Sequence, residues 1–374
     1  MISVKQLPCH PWHDFIYLPW TARLYKDNLN WVPNLISEDK KLLTPNIHPF
    51  HRHGQVQLFV AYSDEMKPLG RIAAIINEAH NKLYNDQAGF FGLFECINDK
   101  AVAQELFTAA AGYLKNKGMK IMRGPMNFST NETCGLLVEG FDSPPMFMMT
   151  YNPSYYMRLF DDTGLIKSKD LFAWYVDDTL VIPNKMIRVA ERVKSHLRIT
   201  VRRANMKHLD TEIKIIQEVY NKAWSNNWGF VPMTDEEFEY MAKDMKKIVD
   251  PSLLLIAEVQ SKPAGFSLAL PNFNMALKHI NGRLFPFGIF KLLWHIYIKK
   301  FNNVRVITMG IIPEYQKRGI DVLFYLETIK NGMARGYKAA ELSWILENNV
   351  LMNRTIESLG ARLYKKYRLY DKAL

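Results

Sequence analysis

The run from Val304 to Asp321, VRVITMGIIPEYQKRGID, constrains the fold more than any other part of the chain. Val304, Val306 and Ile307 are β-branched and suit a buried strand, and Pro313 ends any ladder it joins because it has no N–H to donate. Gln316, Lys317, Arg318, Gly319 and Ile320 then make a short turn in which Gly319 can take a positive φ. From Val322 to Arg335 the chain reads as a helix. A strand, a basic glycine turn and a helix N-terminus in that order predict an anion site, because free amides and the helix dipole meet a pyrophosphate without a dedicated side chain. Lys317 and Arg318 add positive charge beside it.

Downstream, Lys338 to Ile345 reads as a second strand, Asn348 to Gly360 as a loop and helix closed by a glycine C-cap, and Arg362 to Asp371 as a last alternating strand. Gln316-Lys317-Arg318-Gly319-Ile320-Asp321 resembles the Q/R-x-x-G-x-G/A turn of the GNAT superfamily of acyl-CoA-dependent N-acyltransferases. Asp321 departs from it in the last place, and a carboxylate there repels a pyrophosphate unless it turns away to cap the helix. Asn349 falls at the family's asparagine position. Ile356 stands where many members carry a general-acid tyrosine, which puts the usual acid in doubt.

The sequence holds 374 residues with 48% hydrophobic content, long enough for two cores and too apolar for global disorder. Its net charge of +11 favours an anionic partner, coenzyme A, nucleic acid or an anionic membrane surface. The basic residues are dispersed and form no stripe, which argues against nucleic acid. Cys9, Cys96 and Cys134 are an odd number without a C-x-x-C pair, so neither a disulfide framework nor a zinc site is expected. His48, His51 and His53 lack metal-ligand spacing and read as a polar surface loop, so no metal is expected. The N-terminus does not read as a signal peptide and the longest apolar stretch, Leu284 to Ile298, is too short to span a bilayer. The expected compartment is cytoplasmic, with peripheral contact at the inner membrane face as an alternative.

Along the first half, Ile2 to Leu7, Val56 to Tyr62, Leu69 to Asn77, Phe90 to Cys96, Met119 to Arg123 and Leu171 to Asp177 read as strands. His13 to Tyr25, Lys100 to Lys117 and Tyr155 to Gly164 read as helices. The second half repeats the order: strands at Ile199 to Arg203, Leu253 to Val259 and Pro263 to Leu270, helices at Thr211 to Ser225 and Asp235 to Lys247, then the elements above. Gly118-Met119-Lys120 with Gly164 answers Gly336-Tyr337-Lys338 with Gly360. The expected fold is therefore α/β (α+β): two tandem GNAT-like domains, 1–178 and 179–374, each a mixed, mostly antiparallel central sheet flanked by helices, with the boundary near Asp178 to Lys185.

The halves differ where chemistry is expected. Ile97-Asn98-Asp99-Lys100 replaces the glycine turn in the first half, so that half is expected to hold no pyrophosphate. It carries instead the insertion 124–156, whose crowded Asn127, Ser129, Thr130, Asn131, Glu132 and Cys134 either satisfy their own loop or meet an acceptor. A second insertion, Pro271 to Phe301, places Lys291, His295 and Lys299 four apart among aromatic residues. It reads as a lid over an acyl chain, an amphipathic patch on anionic lipid, or a packed helix with one solvated face.

The resemblance implies direct transfer of an acyl group from coenzyme A to a primary amine, the acceptor being a small molecule or a lipid. Whole-chain patterns look like bacterial GNAT-related proteins near those thought to N-acylate sphingoid bases. It implies Ile311 and Ile312 amides on the pantetheine, and Gln316, Lys317, Arg318, Gly319 and Ile320 on the pyrophosphate, with Asn349 nearby. Candidates for base and acid are Glu341, Tyr364, Glu314 and Tyr367, and for acceptor contacts Asn127, Ser129, Thr130 and Asn131. The alternative from another class is a non-catalytic acyl-CoA-binding or regulatory protein. The oligomeric state is left open.

Overall fold

The computed structural model describes residues 1–374, the side chains of His196 and Leu197 excepted. The chain divides into two compact units. The first comprises Met1–Leu171, Asn274–Trp294 and Lys365–Leu374, and the second Phe172–Phe273 and His295–Tyr364. The strands in chain order are β1 (Ser3–Pro8), β2 (Gly54–Tyr62), β3 (Pro68–Asn77), β4 (Ala88–Cys96), β5 (Ile121–Gly124), β6 (Leu136–Glu139) and β7 (Ile166–Asp177). They continue with β8 (Ile199–Arg203), β9 (Leu254–Val259), β10 (Lys262–Pro271), β11 (Asn303–Ile311), β12 (Ala339–Leu346) and β13 (Arg362–Ala373).

In the first unit the strand order is β1-β2-β3-β4-β5-β13, with β6 also on β13. Neighbours run antiparallel except β4 and β5, which are parallel. The helix Lys100–Asn116 lays Val102, Leu106, Phe107, Ala110 and Leu114 on the sheet at helical spacing. Phe94 stacks on Phe107 at 5.0 Å between ring centres, and Phe160 meets both edge-on. Each such phenylalanine taken from water contributes about 1.5 to 3 kcal/mol. The last residues of the chain complete this sheet, Tyr370 to Ala373 pairing with Gly124 to Ile121.

The second unit has the order β8-β9-β10-β11-β12, with β7 next to β12. Strands β8 to β11 are antiparallel and β11–β12 is parallel. Successive residues of β9 point to opposite faces. Leu254 and Ile256 therefore pack with Ile216 and Val219 of the helix Leu209–Ala223, while Leu255 and Ala257 pack with Leu323 and Phe324 of the helix Ile320–Ala334. Each unit is thus the mixed, mostly antiparallel sheet flanked by helices that the sequence predicts.

Three local expectations change. The boundary segment expected near Asp178 to Lys185 leads into a helix, Asn184–Leu197, which buries Met186, Ala190 and Val193 at i, i+4 and i+7. Pro183, in extended conformation, is the N-cap of that helix. The helix expected at His13 to Tyr25 is two short ones, His13–Ile16 and Leu18–Thr21. In the second insertion the α-helix covers only Gly288–Trp294 and gives way to a π-helical turn, His295–Lys299, so Lys291, His295 and Lys299 do not share one α-helical face.

Candidate functional site

Strand β11 pairs with β12 only from Asn303–Ala339 to Val306–Leu342. At that point its register on β10 also shifts, Val306 facing Ala269 and Thr308 facing Leu268, which leaves Ile307 as the extra residue of a β-bulge. A bulge bends its strand and increases its twist, and here the two parallel strands part. From Val306 to Met309 an internal strand is consequently half-exposed. The Ile312 amide donates to Ala264 O at 3.0 Å. That corrects the expectation of two strand amides for pantetheine, because Ile312 faces β10. Alternation along the strand turns the Ile311 amide to the edge that β12 has left.

The turn follows directly. Gln316 Nε2 donates to Ile311 O at 3.0 Å, closing the turn onto the strand. Gly319 has φ +82° and is the N-cap of the helix Ile320–Ala334, with no side chain capping it. A Cβ there would also lie 2.7 Å from Val193 Cγ2, so the glycine is needed both for its backbone angle and for contact with the helix Asn184–Leu197. Gln316, Lys317 and Arg318 are exposed beside it, and Arg318 lies over the Tyr315 ring at 5.4 Å. Asp321 does turn inward. Burial raises its carboxyl above the ordinary value, while the Val322 amide and its own pull in the other direction. It therefore shares the helix N-terminus that an anion would use.

Glu341 and Tyr364 are brought together. Tyr364 donates its hydroxyl to Glu341 Oε2, and Ser343 Oγ donates to Oε1 at 2.5 Å. Arg305, opposite Glu341 in the β11–β12 register, holds it as an ion pair at 3.6 Å and donates to Ser343 Oγ at 2.8 Å. Glu341 is fully buried and Tyr364 half-buried. The sequence reading assigned Arg305 no role. Its signal was a single arginine inside an apolar strand with a single glutamate inside the parallel one.

The remaining candidates separate. Tyr367 is fully buried in the first unit, opposite Leu137 of β6, and is a packing residue. Glu314 is exposed on the 3-10 turn Pro313–Tyr315. Asn349 is the N-cap of the helix Val350–Ser358 and accepts from the Met352 amide at 3.3 Å, so its side chain is engaged in capping and not directed to a cofactor. Ile356, in the place of the family's acid, is fully buried in the apolar core.

The same edge in the first unit is closed by its own chain. Strands β4 and β5 also pair for three residues only, Ala88–Ile121 to Phe90–Arg123. Beyond them Met126 donates its amide to Phe91 O at 2.8 Å, and Asn127 Oδ1 accepts from the Leu93 amide at 2.9 Å. The approach is so close that a Cβ on Gly92 would lie 2.2 Å from Met126 O. Asp99 caps the following helix, accepting from Ala101 N at 2.8 Å. Asn127, a candidate for acceptor contact or for satisfying its own loop, satisfies a strand amide and Thr133, and Ser129 accepts from the Asn131 amide. Thr130 and Asn131 are likewise engaged in internal interactions.

The histidine loop is not a surface feature. His48 is buried, meets Phe128 edge-on at 5.5 Å and contacts Glu132 at 3.2 Å. Among the described residues no three His, Cys, Asp or Glu are placed to hold a metal ion, and no helix is long and apolar enough to cross a membrane.

No protein-family profile matches the chain. It is 38% identical over 367 residues to the bacterial ceramide synthase of Caulobacter vibrioides, covering 96% of this chain and 94% of that protein. It is 36% identical over 363 residues to protein YghO of Escherichia coli, covering 96% and 92%. Among solved structures it resembles a tandem GNAT protein from the clavulanic acid biosynthesis pathway, with a TM-score of 0.57 over 99% of this chain and 98% of that one, at 8% identity.

Proposed function

The chain belongs to the family of the Caulobacter bacterial ceramide synthase and has a tandem GNAT fold, and from that premise we propose that it is an N-acyltransferase that moves an acyl group from coenzyme A to a primary amine. The observation that carries the reading is the contrast between the two units: the edge of β11 opens onto a helix N-terminus that begins at Gly319 and is shared by Asp321, while the edge of β4 is filled by Met126 and Asn127. One acyl-CoA per chain, held by the second unit, is the expected occupancy.

In this reading the Ile311 amide meets the pantetheine arm. Lys317, Arg318 and the amides after Gly319 receive the pyrophosphate. The thioester would then lie along the half-exposed Val306 to Met309. The amine attacks the thioester carbonyl, a C–N bond forms as the C–S bond breaks, and the leaving thiolate takes a proton. The protein's contribution is orientation, a contact for the developing oxyanion and proton management. Tyr364, held against Glu341, is the group best placed among the named candidates to handle that proton. The name of the Caulobacter relative points to a long-chain sphingoid amine as the acceptor class.

The test supplies acyl-CoA and a sphingoid base to the purified chain and follows both free thiol and the amide product by mass spectrometry. Stoichiometric thiol and N-acyl product support the reading. Binding of acyl-CoA without thiol release favours the second reading, a non-catalytic acyl-CoA-binding protein. The full burial of Glu341 and the core position of Ile356 speak for that second reading.

A further inference from the structure

The segment from Gly282 to Trp294 is fixed at its foot and exposed at its tip. Trp20 Nε1 donates to Asn281 Oδ1 at 2.9 Å, the Ile36 amide donates to Gly282 O at 3.0 Å, and Asn274 Nδ2 donates to Pro145 O at 2.9 Å. Beyond these anchors Phe285 is 77% exposed, Phe287 72%, Phe290 67% and Trp294 55%. Phe290, Leu293 and Trp294 stand at i, i+3 and i+4 of the helix Gly288–Trp294 and so share a face. Large aromatic side chains this exposed, this close together and on a tethered support are an apolar patch that needs an occupant.

Charge decides which occupant. Between Glu258 and Glu314 the chain contains no Asp or Glu, while Lys278, Arg283 and Lys291, beside or within the aromatic stretch in the chain, are exposed, Lys291 donating to His279 O at 3.4 Å and Arg283 lying over the Tyr17 ring at 5.8 Å. Aromatic rings flanked by cations suit the headgroup region of an anionic bilayer, where the rings sit at the acyl boundary and the cations at phosphate. A second copy seated on this face would bring like charges together. We infer that Phe285 to Trp294 is an interfacial anchor that docks the first unit on an anionic lipid surface. The anchor stands whether or not the transfer reaction does. If both hold, it brings the enzyme to the phase where a long-chain amine resides.

The experiment is co-sedimentation of the full chain with extruded vesicles of phosphatidylcholine alone, and of phosphatidylcholine with added phosphatidylglycerol. Two variants are compared with the parent, Phe287→Ser/Phe290→Ser/Trp294→Ser and Lys291→Glu. Unchanged circular dichroism and coenzyme A affinity show that the variants remain folded, as substitution of exposed side chains should allow. The parent should bind the anionic vesicles and not the neutral ones. The aromatic variant should lose at least roughly tenfold in partitioning, and Lys291→Glu a few-fold, with the loss growing as salt is lowered. Equal partitioning of parent and variants overturns the anchor, as does failure of the parent to bind. A dimer in sedimentation velocity that the aromatic variant abolishes, with vesicle binding intact, also overturns it, in favour of a second copy.

Discussion

Tyr364 donates its hydroxyl to Glu341, a carboxylate wholly shielded from solvent and paired with the buried guanidinium of Arg305. The tyrosine is the half-exposed end of a chain whose other members are sealed, so proton traffic would have to pass through it. Tyr364→Phe is expected to lower kcat by about 10² to 10⁴-fold while leaving the affinity for acyl-CoA unchanged. A variant with parental kcat would remove Tyr364 from the chemistry.

Glu341→Ala leaves Arg305 buried without its counter-charge, and breaking a buried pair in this way costs about 3 to 5 kcal/mol. A large fall in thermal midpoint is expected, together with loss of activity. Chemical denaturation of Glu341→Ala against the double variant Arg305→Met/Glu341→Leu checks the cause, since the apolar pair should recover much of the stability.

For Lys317→Ala/Arg318→Ala, both residues exposed, stability should stay near that of the parent while coenzyme A affinity falls. Charge-assisted contacts of this kind contribute about 1.5 to 3 kcal/mol each when fully formed, less under solvent screening. Calorimetric titration of the parent should give one site per chain, and of the double variant none within range. Two sites would mean that the β4 edge opens after all.

Asp321 competes for the same helix N-terminus. Burial raises its carboxyl above the ordinary 3.8, so on acidification it gives up its charge before an exposed aspartate does. Asp321→Asn should tighten coenzyme A binding by roughly two- to fivefold at neutral pH, the 0.3 to 1 kcal/mol of a charge at a helix end. The advantage over the parent should shrink as pH falls into the carboxylate range. Titrations of both proteins across that range decide it.

Burial alone would raise the Asp170 carboxyl, but hydrogen bonds from Arg368 at 2.7 and 3.0 Å and from Lys167 outweigh it and hold the group below the ordinary 3.8. A depressed carboxylate contributes stability that is present above its unfolded value and lost as pH falls through the folded one. Asp170→Asn should therefore cost about 1 to 2 kcal/mol at neutral pH, allowing for the partly exposed Arg368. The difference from the parent should begin to shrink only as pH falls past the ordinary aspartate value of about 3.9 and vanish below the depressed folded one. Thermal melts of the two proteins at a series of pH values provide the check.

The sequence alone determined the local pieces. Apolar alternation marked most strands, the glycine with positive φ at 319 marked the helix entry, and the repeated order of elements marked two similar halves. These are properties of neighbouring residues, and pattern reports them directly. Ile312 shows the limit: which edge of β11 its amide faces depends on the register with β10, set by a bulge that leaves no mark in the strand's composition. Asn127 and Asn349 were legible as polar groups in loops, but their partners, the Leu93 amide and the Met352 amide, were not chosen until the chain packed. Arg305, Glu341 and Tyr364 lie far apart in sequence and meet because β11 and β12 pair in parallel for a few residues and then separate. That separation makes the opening. It arises from twist and register among strands, and those are decided only when the sheet forms.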